Sequence, residues 1–384
     1  MNFKIFAFIF PLLFCSLVAC SQNVATSESV DSSSSNDRVS EEQLRQDIGE
    51  MLLVGFRGTT INDKSTIVRD IRDYHIGSVI LFEYDAPTGT RHRNIESPSQ
   101  LKKLCSDLQR HAGGNLLIGV DQEGGNVARL RVKDGFPSTL TAEASALKGD
   151  KAVQDNAVVV ASELHDAGIN LNFAPCVDVN VNPACPVIGK MGRCFSNDAQ
   201  LVAHYARIWI NTQNQFCVLS CLKHFPGHGS ASGDTHAGLV DVSSTWKEYE
   251  LDPYSQLIKD NLVDMVMVAH VINNRIGDNL PASLSPLWVA KKLREEMGFT
   301  GVVVTDDLAM GAITKRYGFE EALRMAVVAG CDLLCLSNNG SSYDPNMVPK
   351  AVEAILKLVS DGQLSAQDIH RSAERVRALK KKIK

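Results

Sequence analysis

The sequence predicts a single (β/α)8 barrel over residues 41–384, with no second α/β sandwich domain. Three observations point there. Eight short apolar runs alternate with amphipathic stretches from end to end. The runs are apolar at nearly every position, as a sheet covered on both faces requires. Ionisable residues also stand at the end of one run after another. Alternating strands and helices imply a parallel sheet, and eight strands is the number that closes such a barrel. A doubly wound open sheet satisfies the alternation too, but it would spread the polar ends along an edge, whereas a barrel gathers them on one face.

The strand-like runs fall at 51–56, 77–82, 116–121, 169–174, 216–222, 265–269, 301–305 and 331–336. Between them lie helix-like segments such as 98–111, 152–166, 199–213, 288–297 and 319–329, whose apolar residues recur at helical spacing. Asp121 ends the third run, Lys223 and His224 end the fifth, His270 ends the sixth, and Asp306 with Asp307 ends the seventh.

The fifth run opens onto Lys223-His224-Phe225-Pro226-Gly227-His228-Gly229, followed by Asp234 and His236. Pro226, Gly227, Gly229 and Gly233 break any helix, so these polar groups sit on a loop, expected to be mobile beyond the strand end. Loops on rigid strands are where chemistry is usually placed. Asp234, two residues before His236, reads as a carboxylate that fixes the tautomer of an imidazole base. Asp306 at a strand end suits a nucleophile or an electrostatic stabiliser. Asp307 reads instead as a cap for the helix that follows. A zinc reading of His224, His228, Asp234 and His236 is disfavoured. Pro226 and Gly227 exclude the helix that four-residue histidine spacing needs, and Lys223 would repel a cation; no metal is expected.

The ends carry other information. Lys4, the apolar stretch Ile5 to Leu17 and the closing Leu17-Val18-Ala19-Cys20 read as a signal segment. It resembles a bacterial lipoprotein signal, with residues 1–19 removed and Cys20 lipidated. Residues 20–40 are serine-rich and polar, a tether rather than a folded unit. The expected location is the cell envelope, with the chain held to a membrane by its lipid. Loss of the signal removes Lys4 alone among charged residues, taking the net charge from −5 to about −6. Nothing in that balance favours nucleic acid. Lys380, Lys381, Lys382 and Lys384 read as a solvated helix end. Eight cysteines remain beyond the signal, several inside strand-like runs where they behave as small apolar residues. Cys217/Cys221 and Cys331/Cys335 lie four apart, about 13 Å along a strand and too far to bridge. Few disulfides or none are expected, with Cys185 and Cys194 the one pair on loop-like sequence.

Together with Asp121-Gln122-Glu123-Gly124-Gly125 and Thr305-Asp306-Asp307-Leu308-Ala309-Met310, the loop from Lys223 to His236 resembles glycoside hydrolase family 3, in its N-acetyl-β-glucosaminidase branch. The resemblance runs from about residue 45 to 380, with the motifs in the family's order. It implies a retaining exo-β-N-acetylglucosaminidase that needs no cofactor. Such an enzyme releases terminal non-reducing β-N-acetylglucosamine from peptidoglycan fragments or related amino sugars, and is expected to be monomeric. By resemblance, Asp306 matches the nucleophile, His236 the acid/base and Asp234 its partner. Asp121, Arg129, Arg193, Lys223 and His224 match positions that hold the N-acetylglucosamine unit. A retaining glycosidase usually uses two carboxyl groups; a histidine in the second role leaves phosphate as well as water open as the acceptor. Asn126, Cys194 and Ser196 depart from the family's usual arginine, serine and glycine, which bears on substrate preference. A β-glucosidase-type relative and a non-catalytic glycan-binding lipoprotein remain alternatives.

Overall fold

The computed structural model describes residues 39–383. The expected signal segment, Cys20 and most of the serine-rich tether lie outside the described residues. All eight predicted strands form. They are β1 (Leu52–Gly55), β2 (Ser78–Leu81), β3 (Leu117–Val120), β4 (Leu171–Asn172), β5 (Leu219–Phe225), β6 (Met265–Val268), β7 (Val302–Thr305) and β8 (Leu334–Leu336). Each pairs in parallel with its neighbours in the order β7-β6-β5-β4-β3-β2-β1-β8. A parallel bridge between Val304 and Leu333 joins the two ends and closes the barrel. Helices Thr66–Tyr74, Pro98–His111, Asp150–Ala167, Ala199–Gln215, Asp252–Lys259, Leu287–Glu296, Phe319–Ala329 and Met347–Ser360 follow the strands one by one.

Strand periodicity divides the core in two, because successive side chains point to opposite faces. Leu53, Ile80, Leu117, Leu171, Leu219, Cys221, Met265, Met267, Val302, Val304 and Cys335 fill the inside of the barrel. Their neighbours Val54, Val79, Ile118, Leu222, Val266, Val303 and Leu334 face the helices. Each such buried side chain contributes roughly 1.5–3 kcal/mol, which is why both faces of every strand read as apolar. Gly119 is the exception on the inner face: a Cβ there would lie 2.8 Å from the Phe173 ring, so the missing side chain makes room for Phe173.

Two expectations shift here. The run 216–222 begins inside a helix terminus, because Phe216 caps Ala199–Gln215 and Cys217 turns the chain with φ 56°. The strand therefore starts at Leu219 and carries Lys223 and His224 within it rather than beyond it. The basic tail is not solvated throughout. Helix Ala366–Lys380 lies across the amino-terminal end of the barrel, with Val376 and Leu379 packed onto the inner cluster. Lys380 is buried against Glu50, and Lys382 reaches Asp264 at 2.6 Å. Both carboxylates stand just ahead of a strand, and each gives a basic side chain a partner. Lys384 lies outside the described residues. Among the described residues no helix is long and apolar enough to cross a membrane.

Candidate active site

The inward register of the strands continues past their ends. On β3 the inward positions run 117, 119, 121; on β5 they run 219, 221, 223; on β7 they run 302, 304, 306. Asp121, Lys223 and Asp306 therefore rise from three strands into one opening at the carboxyl-terminal face. The opening is a cavity of about 620 Å³, whose lining includes all eight predicted site residues: Asp121, Arg129, Arg193, Lys223, His224, Asp234, His236 and Asp306. Ile80, Met267 and Cys335 form its apolar floor, and Phe82 and Tyr84 stand on its wall. Lys223 and His224 both line it, and the peptide that joins them is cis.

These groups form a ladder of alternating charge. Asp178 holds His224 Nδ1 at 2.7 Å, and His224 Nε2 lies 3.1 Å from Arg193. Arg193 grips Glu123 with two parallel bonds of 2.8 and 2.6 Å. Glu123 meets Lys223 Nζ at 2.7 Å, and Lys223 meets Asp121 at 2.6 Å. Arg129 follows 3.5 Å from Asp121, then Glu83 3.7 Å from Arg129, then Arg131 2.5 Å from Glu83. Burial alone would neutralise such groups, but opposite charges at this range outweigh it. Burial pushes Asp121 and Glu123 up and Lys223 down, yet Lys223, Arg129 and Arg193 hold both carboxyls below their ordinary range, while the carboxylates hold Lys223 above its own. Arg193 spends most of its donors on Glu123 and His224, and a further one on Val187 O at 2.8 Å. It thus braces Glu123 and His224 as much as it faces the cavity.

Asp306 is a buried carboxylate held ionised at the centre of the cavity. Burial pushes it up, but His270, His224, His236 and the Asp307 N–H outweigh that and bring it to about 2. Its Oδ1 accepts the Asp307 N–H at 2.8 Å, which leaves the other oxygen toward the cavity. His270 is wholly buried, between the Ser283 hydroxyl (2.6 Å) and Asp307 O (2.9 Å). Asp307 is structural as expected, but it is no helix cap. It accepts the N–H groups of Ala309 and Ser337 and the Ser337 hydroxyl, tying the end of β7 to the end of β8.

The loop after β5 has two parts. Its first half is buried and pinned: His228 N–H donates to Asp178 at 2.7 Å, and Gly229 O accepts from Asn182 N–H at 2.9 Å. Its second half stands at the rim. There His236 Nδ1 lies 2.7 Å from Asp234 Oδ1, and the His236 N–H bonds the same oxygen at 2.8 Å. The pairing holds one ring nitrogen and leaves Nε2 free; the His236 side chain is 70% exposed.

The four residues considered for zinc do not bring their donor atoms together, although three of them line the cavity. His228 is buried facing Thr235, while Asp234 and His236 sit at the rim. Among the described residues the metal-type donors that do meet are Cys176, Asp178 and His224, within 4.8 Å of one another. Their chemistry suits a hydrogen-bonded brace. Asp178 already accepts from His224, His228 and the Cys176 thiol, burial drives that thiol well up, and the Arg193 guanidinium adjoins. Cys185 and Cys194 are buried free thiols, and no disulfide forms among the described cysteines; Cys217, taken with the buried group, is exposed. Sequence reasoning missed Glu123, Asp178 and Glu83. Glu123 had a signal, being two residues beyond Asp121, and so had Glu83, which directly follows the run 77–82; Asp178 had none, since its partners His224 and His228 come from far along the chain.

Comparison with known proteins gives the family of the barrel. Residues 43–379 match the glycosyl hydrolase family 3 N terminal domain. A β-hexosaminidase of Alkalilimnicola ehrlichii is 34% identical over 321 residues, covering 81% of this chain and 84% of that protein. One from Psychromonas ingrahamii is 37% identical over 257 residues, 65% of this chain and 74% of its own. The solved glycoside hydrolase family 3 β-N-acetylglucosaminidase of Paenibacillus sp. str. FPU-7 superposes with a TM-score of 0.78 at 36% identity, over 88% of this chain and 62% of that one. The chain thus spans less than two thirds of the Paenibacillus protein's length. With a closed parallel barrel, a charged cavity at its carboxyl-terminal face and these likenesses, the chain belongs to glycosyl hydrolase family 3 and is a glycoside hydrolase.

Proposed function

We propose that the protein is a retaining exo-β-N-acetylglucosaminidase acting on peptidoglycan fragments or related amino sugars, tethered to the cell envelope through Cys20. The observation that carries this reading is the meeting of Asp306 with the Asp234–His236 pair in one cavity lined by fixed donors and acceptors. The β-hexosaminidase relatives support the choice of sugar. Asp306, held ionised, attacks the anomeric carbon, and the bond to the leaving oxygen breaks as His236 Nε2 delivers its proton. A glycosyl ester on Asp306 results. His236, now a base, takes a proton from the incoming acceptor, which cleaves the ester with net retention. Asp234 steadies the imidazolium, while Asp121, Lys223, Arg129 and His224 hold the sugar hydroxyls and acetamido group.

The test is release of 4-nitrophenol from the N-acetyl-β-glucosaminide by purified protein lacking the signal segment. Hydrolysis of the plain glucoside in its place overturns the substrate assignment. Asp306→Ala removes nearly all turnover. His236→Ala loses roughly 10²–10⁴-fold on poor leaving groups and much less on good ones, which need little acid help. Equal loss on both refutes the acid/base role. Product analysis with and without phosphate decides the acceptor, and loss of envelope retention in Cys20→Ser checks the tether.

A further inference from the structure

The loop that carries His236 is bonded to the segment that follows Asp306. Three successive carbonyls take one bond each from it. Thr235 O accepts from the Ala312 N–H at 3.1 Å, His236 O from the Gly311 N–H at 3.2 Å, and Ala237 O from Lys315 Nζ at 2.6 Å. Gly311 and Ala312 open the short helix Gly311–Thr314, where the first N–H groups have no partner within the helix and are free to donate. All three contacts are to backbone, so they set the path of the loop while leaving the imidazole and Asp234 unencumbered.

Gly311 shows that this contact is built. It is not among the glycines with positive φ, so its own backbone would accept any residue. The space is what forbids one: a Cβ would lie 2.6 Å from His236 O and 3.2 Å from the Ala237 carbonyl. We propose that Met310–Lys315 is the seat of the His236 loop, and that Gly311 and Lys315 are positioning residues that set the proton donor over the carboxylate five residues upstream. One short segment thereby couples the two halves of the reaction, since Asp306 ends β7 and its continuation grips the loop from β5. This inference rests on the proton-donor role given to His236 above.

The experiment compares wild type with Gly311→Ala, Lys315→Met and Lys315→Arg on two β-N-acetylglucosaminides, one with a 2,4-dinitrophenyl and one with a 4-methoxyphenyl leaving group. Displacing the loop by the added methyl should cut kcat on the methoxyphenyl substrate by about tenfold or more, with only a few-fold loss on the dinitrophenyl one, because acid help matters for poor leaving groups. KM should move little. Lys315→Met should show the same pattern more weakly, and Lys315→Arg should restore it. Equal losses on both substrates, or none, overturn the seat. Amide exchange over residues 233–239 gives a reading independent of turnover: faster exchange in Gly311→Ala is expected, and unchanged exchange also overturns the proposal. Should wild type turn over neither substrate, the functional reading fails while exchange still judges the seat. Lys315 is exposed, so its variants keep the test open if Gly311→Ala fails to fold.

Discussion

Glu250 is wholly buried beneath the start of the His236 loop. Its Oε1 accepts the Lys247 N–H at 2.9 Å, and a Cβ on Gly227 would lie 2.8 Å from its Oε2. Burial pushes its carboxyl up from the ordinary 4.5 to about 7, with the Asp178 charge adding to the rise and hydrogen bonds from Lys247 and Ser230 resisting it. A carboxyl raised on folding holds a proton that the unfolded chain has released. The folded state therefore binds more protons between pH 4.5 and about 7, and stability falls as pH rises through that window. Below it the group costs nothing; above it the full penalty of about 3 kcal/mol applies, from about 2.5 pH units at about 1.36 kcal/mol each. Glu250→Gln cannot ionise and its amide can donate to Ser230. The variant should match wild type near pH 4 and exceed it by up to about 3 kcal/mol at pH 8. Urea unfolding at pH 4, 5, 6, 7 and 8 reads this directly, with Trp246 and Trp288, 5.7 Å apart and buried, as fluorescent reporters. A difference independent of pH, or a variant that loses stability as pH rises, refutes the reasoning.

Three further outcomes follow from the same geometry. Glu123→Gln leaves Arg193 and Lys223 facing each other without their shared carboxylate, so it should lose about 3–5 kcal/mol in urea unfolding, as broken buried pairs do. Gly119→Ala drives a methyl into the Phe173 ring and should cost about 1–3 kcal/mol by the same measurement, with no change in the charged ladder. Of the eight cysteines at or beyond Cys105, Cys217 alone is exposed. Ellman's reagent should therefore titrate one of them in the native protein and the other seven only after denaturation; fast reaction of a second thiol would show that one of the buried positions is open.

The eight strands were legible because a barrel strand is buried on both faces and its sequence is apolar throughout. The fifth was displaced because Phe216 and Val218 are as apolar as the strand proper, and only the helix ending at Gln215 decides where pairing starts. Site residues standing alone at strand ends were legible for a related reason: a charge that interrupts an apolar run needs an explanation. Their partners were not. Glu83 and Glu123 stand at or just past strand ends, but their basic partners come from other segments; Asp178 lies in a loop where a carboxylate is ordinary, and what distinguishes it is its contact with His224 and His228. Lys380 was misread on the same grounds, since its partner Glu50 stands some 330 positions earlier in the chain.

The ladder and the loop divide the work between rigidity and reach. From Asp178 to Arg131 every charged group is held by at least one neighbour of opposite charge, and the inner members are buried. A sugar entering there meets donors and acceptors already fixed in place, so its hydroxyls exchange water for preorganised partners at little cost in side-chain entropy. The Asp234–His236 pair is the opposite case, half exposed on a loop held at the rim through its backbone carbonyls. An acid that must protonate a departing aglycone benefits from standing where that aglycone leaves. Asp306, between the two, takes its low affinity for protons first from buried His270, and then from His224 of the ladder and His236 of the loop. Withdrawal of the loop would thus take away the proton donor and part of the field that keeps the attacking carboxylate ionised.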